Sequence, residues 1–142
     1  MLSTLNIGQL GNLSKRQKSK DMVPLKHINL IDIENLSEIN PCFLLNFKVK
    51  SQTKDEFYSI NLQLYTDDII KITSKCKVEC NCKDFIFRCS YELWKRNTLV
   101  SNYEYIKPPK KSSGISVCYH VYSVIKYVQL IGTITELKKT IK

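Results

Sequence analysis

Two short pairs constrain this chain more than anything else in it. Cys80-Asn81-Cys82 lies inside VECNCKDFIFRCSY, and Cys118-Tyr119-His120 lies inside SVCYHVYSVIKYV. Three thiols and an imidazole placed this way can be unrelated buried side chains, a redox pair, or parts of one metal site. In the last case the fold is tied down at that point. Residues 83–117 must leave one ligand pair and return to the other.

Composition narrows the choice. The chain has 142 residues, which suits a single domain, and 43% of them are hydrophobic, enough for a modest core. A domain of this size buries a limited share of its surface, so a metal staple or an oligomeric contact would help it. The 22 Lys+Arg against 13 Asp+Glu give a net charge of +9. That balance favours an acidic partner such as nucleic acid, an anionic surface or an acidic protein, although plain solubility accounts for it equally. No apolar run approaches the roughly 20 residues of a membrane span, so no membrane partner is expected. The opening MLSTLNIGQLGNLSKRQKSK lacks the apolar stretch of a secretory signal. An intracellular setting with reduced thiols is therefore expected. Cys42, Cys76, Cys80, Cys82, Cys89 and Cys118 then read as metal ligands or core thiols rather than disulfides.

The expected organisation is a basic N-terminal arm over residues 1–24 and one α+β domain over 25–142. Residues 25–36 alternate apolar and polar in part, as a strand would. Phe43, Leu45, Phe47 and Val49 alternate clearly, a polar turn covers residues 52–55, and Tyr58, Ile60, Leu62 and Leu64 repeat the pattern. That is a hairpin. Residues 69–82 continue as a further strand, with Ile70, Ile72, Cys76, Val78, Cys80 and Cys82 of one parity. The period then changes. Phe85, Cys89 and Leu93, spaced by four, predict a helix over residues 84–95. Residues 102–113 hold Pro108-Pro109 and read as a loop. Val121, Val124, Ile125, Val128 and Ile131 predict a helix over 119–131, stopped by Gly132. The C-terminal end is ambiguous. The fold class expected is thus an N-terminal antiparallel β-sheet followed by a zinc-stapled strand–helix–loop–helix module.

Zinc takes four N or S ligands in a tetrahedron, at about 2.3 Å for sulfur and about 2.0 Å for nitrogen. Cys80, Cys82, Cys118 and His120 supply that set, one pair at a strand end and the other at a helix start. With no fifth candidate nearby and no spare carboxylate, the site reads as closed and structural. Cys89 shares the face of Phe85 and Leu93 and reads as a core thiol. Cys42 and Cys76 also read as core thiols, with Cys76 the reserve should Cys80 not ligate. His27 lacks ligand neighbours. Asp67-Asp68 reads as a cap or turn.

The two pairs resemble the SWIM zinc finger, whose pattern is CxC, a spacer, then CxH. The stretch Cys82-Lys83-Asp84-Phe85-Ile86-Phe87-Arg88 and the Pro-rich loop leading into Cys118-x-His120 resemble a long-spacer variant from tailed-bacteriophage virion proteins of the crAss-like group. The resemblance covers roughly residues 76–131. Crowding with Lys, Ile, Asn and Ser, and the lack of alanine, resemble products of low-GC genomes.

Two functions are expected from these readings. One is a non-enzymatic assembly protein of a phage virion, at a neck, connector or tail ring. It would be assembled in the cytoplasm of a bacterial host as a homo-oligomeric ring beside other virion proteins. Tyr91, Trp94, Tyr103 and Tyr105 would serve as interface aromatics. The alternative is a zinc-stabilised nucleic-acid-binding module. There Lys15, Arg16, Lys18, Lys20, Arg88, Lys95, Arg96, Lys107, Lys110 and Lys111 would contact phosphates in DNA. Solvated loops explain the same cations. An enzyme is not expected. The chain has no Gly-rich phosphate loop and no Ser/His/Asp set, so no small-molecule substrate is expected either.

Overall fold

The computed structural model describes residues 4–12, 23–51, 54–101 and 115–141. Four strands form one antiparallel sheet in the order β1-β2-β3-β4. They are β1 (Ile28–Ser37), β2 (Cys42–Lys50), β3 (Phe57–Tyr65) and β4 (Lys75–Cys80). The helices are α1 (Ile7–Asn12), α2 (Ser90–Lys95), α3 (Tyr119–Ile131) and α4 (Ile134–Lys139). The α+β expectation is met.

The hairpin forms because its alternation fits the pleat. Phe43 faces Leu64, Leu45 faces Leu62, Phe47 faces Ile60 and Val49 faces Tyr58 across β2 and β3. These side chains share one sheet face, which α3 covers with Val121, Val124, Ile125 and Val128. Phe47 meets the ring of Tyr127 edge-on, with centroids 6.0 Å apart. The opposite sheet face is mainly polar, carrying Asn46, Lys48, Ser59, Asn61, Lys77 and Glu79 beside Leu44, Phe57 and Tyr65, so the core lies on one side of the sheet. Strand β1 alternates only in part because it bulges. Leu30 pairs with Phe47 and Asp32 with Asn46, leaving Ile31 unmatched and 48% exposed.

Helix α3 has the limits its periodicity predicts. Gly132 ends it at φ 87°, a left-handed conformation that costs a residue with a Cβ far more than glycine. Thr133 then accepts a hydrogen bond from the Glu136 backbone and caps α4. Asp68 takes the capping role expected for its pair, accepting from the backbone and hydroxyl of Thr135 at 2.8 and 2.7 Å.

Three expectations change in detail. The strand expected over 69–82 is confined to Lys75–Cys80. Ile69 and Ile72 are 58% and 68% exposed. The backbone ahead of β4 bonds to other segments instead of to the sheet: Ile7 N–H to Ser74 O, Gly8 N–H to Ile72 O, and Ile70 N–H to Gly132 O. The helix expected over 84–95 opens with a π-helical turn, Phe85–Cys89, before α2. Phe85, Cys89 and Leu93 are nonetheless all buried. Finally, part of the segment expected as an arm lies in the core, where Ile7 and Leu10 are fully buried beside Leu5 and Val23. Each such aliphatic contributes about 1.5–3 kcal/mol by leaving water. Leu5 O accepts from Cys76 N–H, and Val78 bonds to Thr98 and Val100, so the outer edge of β4 is covered. The basic run Lys15–Lys20 lies outside the described residues. No described helix is long and apolar enough to cross a membrane.

Candidate metal centre

Strand β4 delivers Cys80 at its last position, on the same inward face as Cys76 and Val78. Beyond it the chain is held by Asn81. The Asn81 N–H donates to Ser59 O at 3.3 Å, and the Asn81 side-chain oxygen accepts from Ser59 N–H at 2.9 Å. The chain turns there, and Cys82 follows. Its sulfur accepts the Phe85 N–H at 3.3 Å, and its carbonyl accepts from Ile86 N–H at 3.1 Å. The π turn therefore starts directly behind the second thiol. Cys118 caps α3 in an extended conformation, its carbonyl accepting from Tyr122 N–H at 3.0 Å. His120 sits in the first turn of that helix.

These elements bring one donor atom from each of Cys80, Cys82, Cys118 and His120 within 4.8 Å of one another. Cys80 Sγ lies 4.0 Å from His120 Nδ1. Donors around a tetrahedral first-row dication sit about 3.5–3.8 Å apart, so the widest pairs have to draw in by up to about 1 Å. All four residues are buried, none more than 4% exposed. The Nε2 of His120 is buried without a hydrogen-bond partner among the described residues. No carboxylate belongs to the cluster. Three sulfurs and an imidazole suit a soft or borderline cation and not Mg²⁺ or Ca²⁺. The donor set fits a metal ion.

The three thiols share their protons unequally. Hydrogen bonds from Cys118 and Cys80 hold the Cys82 thiol far below its usual range, against the opposing effect of burial. The bond with Cys118 also pulls Cys80 down, but the bond to Cys82, burial and the Cys82 charge outweigh it and leave Cys80 at about 12. Burial first, and then the bonds to Cys80 and Cys82, push Cys118 well above its usual value. Burial and these shared bonds thus oppose a second thiolate in the pocket. A dication at its centre would make three thiolates stable.

The remaining cysteines serve packing. Cys76 is fully buried and outside the cluster, and burial raises its thiol. Burial likewise raises Cys89 to about 11, against a bond from Ser116. Among the described residues no disulfide forms. The expected phosphate contacts fare differently from the ligands. Arg88 gives its fork to Asp84 at 2.7 and 2.8 Å and a further bond to Ser116, tying the π turn to the segment entering Cys118. Lys95 pairs with Glu92 and lies over the Tyr91 ring. Arg96 is half-buried. Tyr91 and Trp94 are half-buried too, in ring contact with each other. Lys15, Arg16, Lys18, Lys20, Lys107, Lys110, Lys111, Tyr103 and Tyr105 lie outside the described residues.

Sequence reasoning missed Ser59 and Tyr58. The Tyr58 ring lies 4.5 Å from the His120 ring. Its parity on β3 placed it on the core face, but no local signal links it to His120, 62 residues later. Comparison with protein-family models, with curated proteins and with solved structures found no match to the chain.

Proposed function

We propose that this chain is a non-enzymatic structural protein folded around one Zn²⁺, held by Cys80, Cys82, Cys118 and His120. The observation that carries the reading is the closed donor set. Four donors converge from a strand end and a helix start, all four residues are buried, and none is a carboxylate. A catalytic zinc needs a position open to water or substrate, whereas a structural one is enclosed by four protein ligands. When bound, the ion would neutralise the thiolates and join the end of β4 to the start of α3. Binding free energy of this kind is folding free energy.

The role that suits such a module is assembly, within a phage virion as the resemblance to long-spacer SWIM-like proteins implies. Apolar side chains stand outside the core and are available to assembly contacts, among them Ile39 at 91%, Phe87 at 73% and Leu130 at 68% exposure. Sedimentation of the zinc-loaded full chain tests this role. Concentration-dependent closed oligomers are expected. A monomer at every concentration would contradict it.

The net charge of +9 favours a second reading, a zinc-stabilised DNA-binding module. It requires affinity for random duplex that falls steeply with salt. Absence of binding at low salt would remove it.

A further inference from the structure

A ligating imidazole has to be held in its plane. The usual device is a hydrogen bond from the ring nitrogen that does not touch the metal, given to a carboxylate or a carbonyl. His120 lacks it. Nδ1 faces Cys80, and Nε2 is buried with no hydrogen-bond partner among the described residues. Its ring is instead met by two others. Tyr119 lies at 4.2 Å and 41°, a contact that follows from adjacency on α3. Tyr58 lies at 4.5 Å and 40° and comes from β3.

Tyr58 is itself fixed. Its backbone position is paired with Val49 in the sheet, and its hydroxyl donates to the exposed Glu56 Oε1 at 2.9 Å, a bond the ring's position does not need. The next residue, Ser59, holds Asn81 through two hydrogen bonds, and Asn81 stands between the first two thiols. One dipeptide of β3 therefore braces both halves of the cluster. Ser59 holds the Cys80–Cys82 turn, and Tyr58 faces the imidazole.

We infer that Tyr58 is a positioning residue of the metal centre, its ring fixing the imidazole of His120 where the described residues offer no such hydrogen bond. This rests on the zinc reading above. The ring face does the work, so the hydroxyl is dispensable and the aromatic is not.

The test loads the full chain with Co²⁺ or Zn²⁺ as wild type, Tyr58→Phe and Tyr58→Leu. The Phe chain should keep the wild-type visible spectrum of Co²⁺ and the wild-type zinc affinity against a chromophoric chelator. The Leu chain should hold zinc about 10- to 100-fold more weakly, the usual cost of losing an outer support of a ligand. Its cobalt ligand-field bands should shift while the thiolate-to-cobalt bands persist. Tyr58→Val, which keeps a strand-forming residue, replaces the Leu chain if that chain does not fold. Unchanged affinity and an unchanged cobalt spectrum in the aliphatic variant would overturn the assignment. A wild-type chain that takes up neither ion would overturn the zinc reading and the role of Tyr58 together, and that failure shows before any substitution.

Discussion

Zinc binding near pH 8 should release two thiol protons per chain. In the metal-free pocket hydrogen bonds from Cys118 and Cys80 favour the thiolate of Cys82. Cys80 is held at about 12 and Cys118 well above its usual value, so both keep their protons. A metal takes thiolates and a neutral imidazole, so these two protons have to leave. The metal-bound chain carries fewer protons than the metal-free chain, and the metal-bound state therefore gains as pH rises and is lost as pH falls. At about 1.36 kcal/mol per proton per pH unit, two protons give about 2.7 kcal/mol, or roughly a hundredfold in affinity per unit. Calorimetric titration of zinc in two buffers of different ionisation heat gives the proton count. Chelator competition between about pH 7.5 and about pH 9, below the raised thiols, gives the slope. A count near three would mean that Cys82 is protonated in the empty pocket. A count near zero with zinc bound would mean that these thiols are not the ligands.

Three further outcomes are expected. Phe47→Ala, at a site 1% exposed against Tyr127, should cost about 3–5 kcal/mol in urea unfolding, and a loss below 1 kcal/mol would refute the packing described. Gly132→Ala forces a Cβ into φ 87° and should destabilise by about 1–2 kcal/mol in thermal melting while metal content stays unchanged. Cys76→Ser should keep the metal, since Cys76 lies outside the cluster, whereas Cys118→Ser and His120→Ala should lose it and melt the C-terminal half at lower temperature.

Much of this arrangement is legible where the signal is local. The alternation in Phe43–Val49 and Tyr58–Leu64 is strict because one face is buried and the other wet, and it gives the hairpin. The stripe from Val121 to Val128 gives α3, and Gly132 marks its end. Two i, i+2 pairs at element ends give the metal cluster. What stayed hidden depends on distant partners. Ile70 and Ile72 extend the parity of β4, but their backbone bonds go to Gly132 and Gly8. The polar look of the first twelve residues conceals Ile7 and Leu10, whose burial becomes evident only once β4 and α3 are assembled. The π turn inserts one residue per turn within a pattern that reads as plain α-helix. Tyr58 meets His120 through tertiary packing alone.

The central claim is a closed structural zinc site, and metal content per chain tests it most directly. The full chain is purified without added metal beside Cys82→Ser, and both are measured by elemental analysis. One zinc per wild-type chain, absent from Cys82→Ser, is the predicted result. No metal in either chain would contradict the account, leaving Cys80, Cys82, Cys118 and His120 as packed side chains where a strand end meets a helix start.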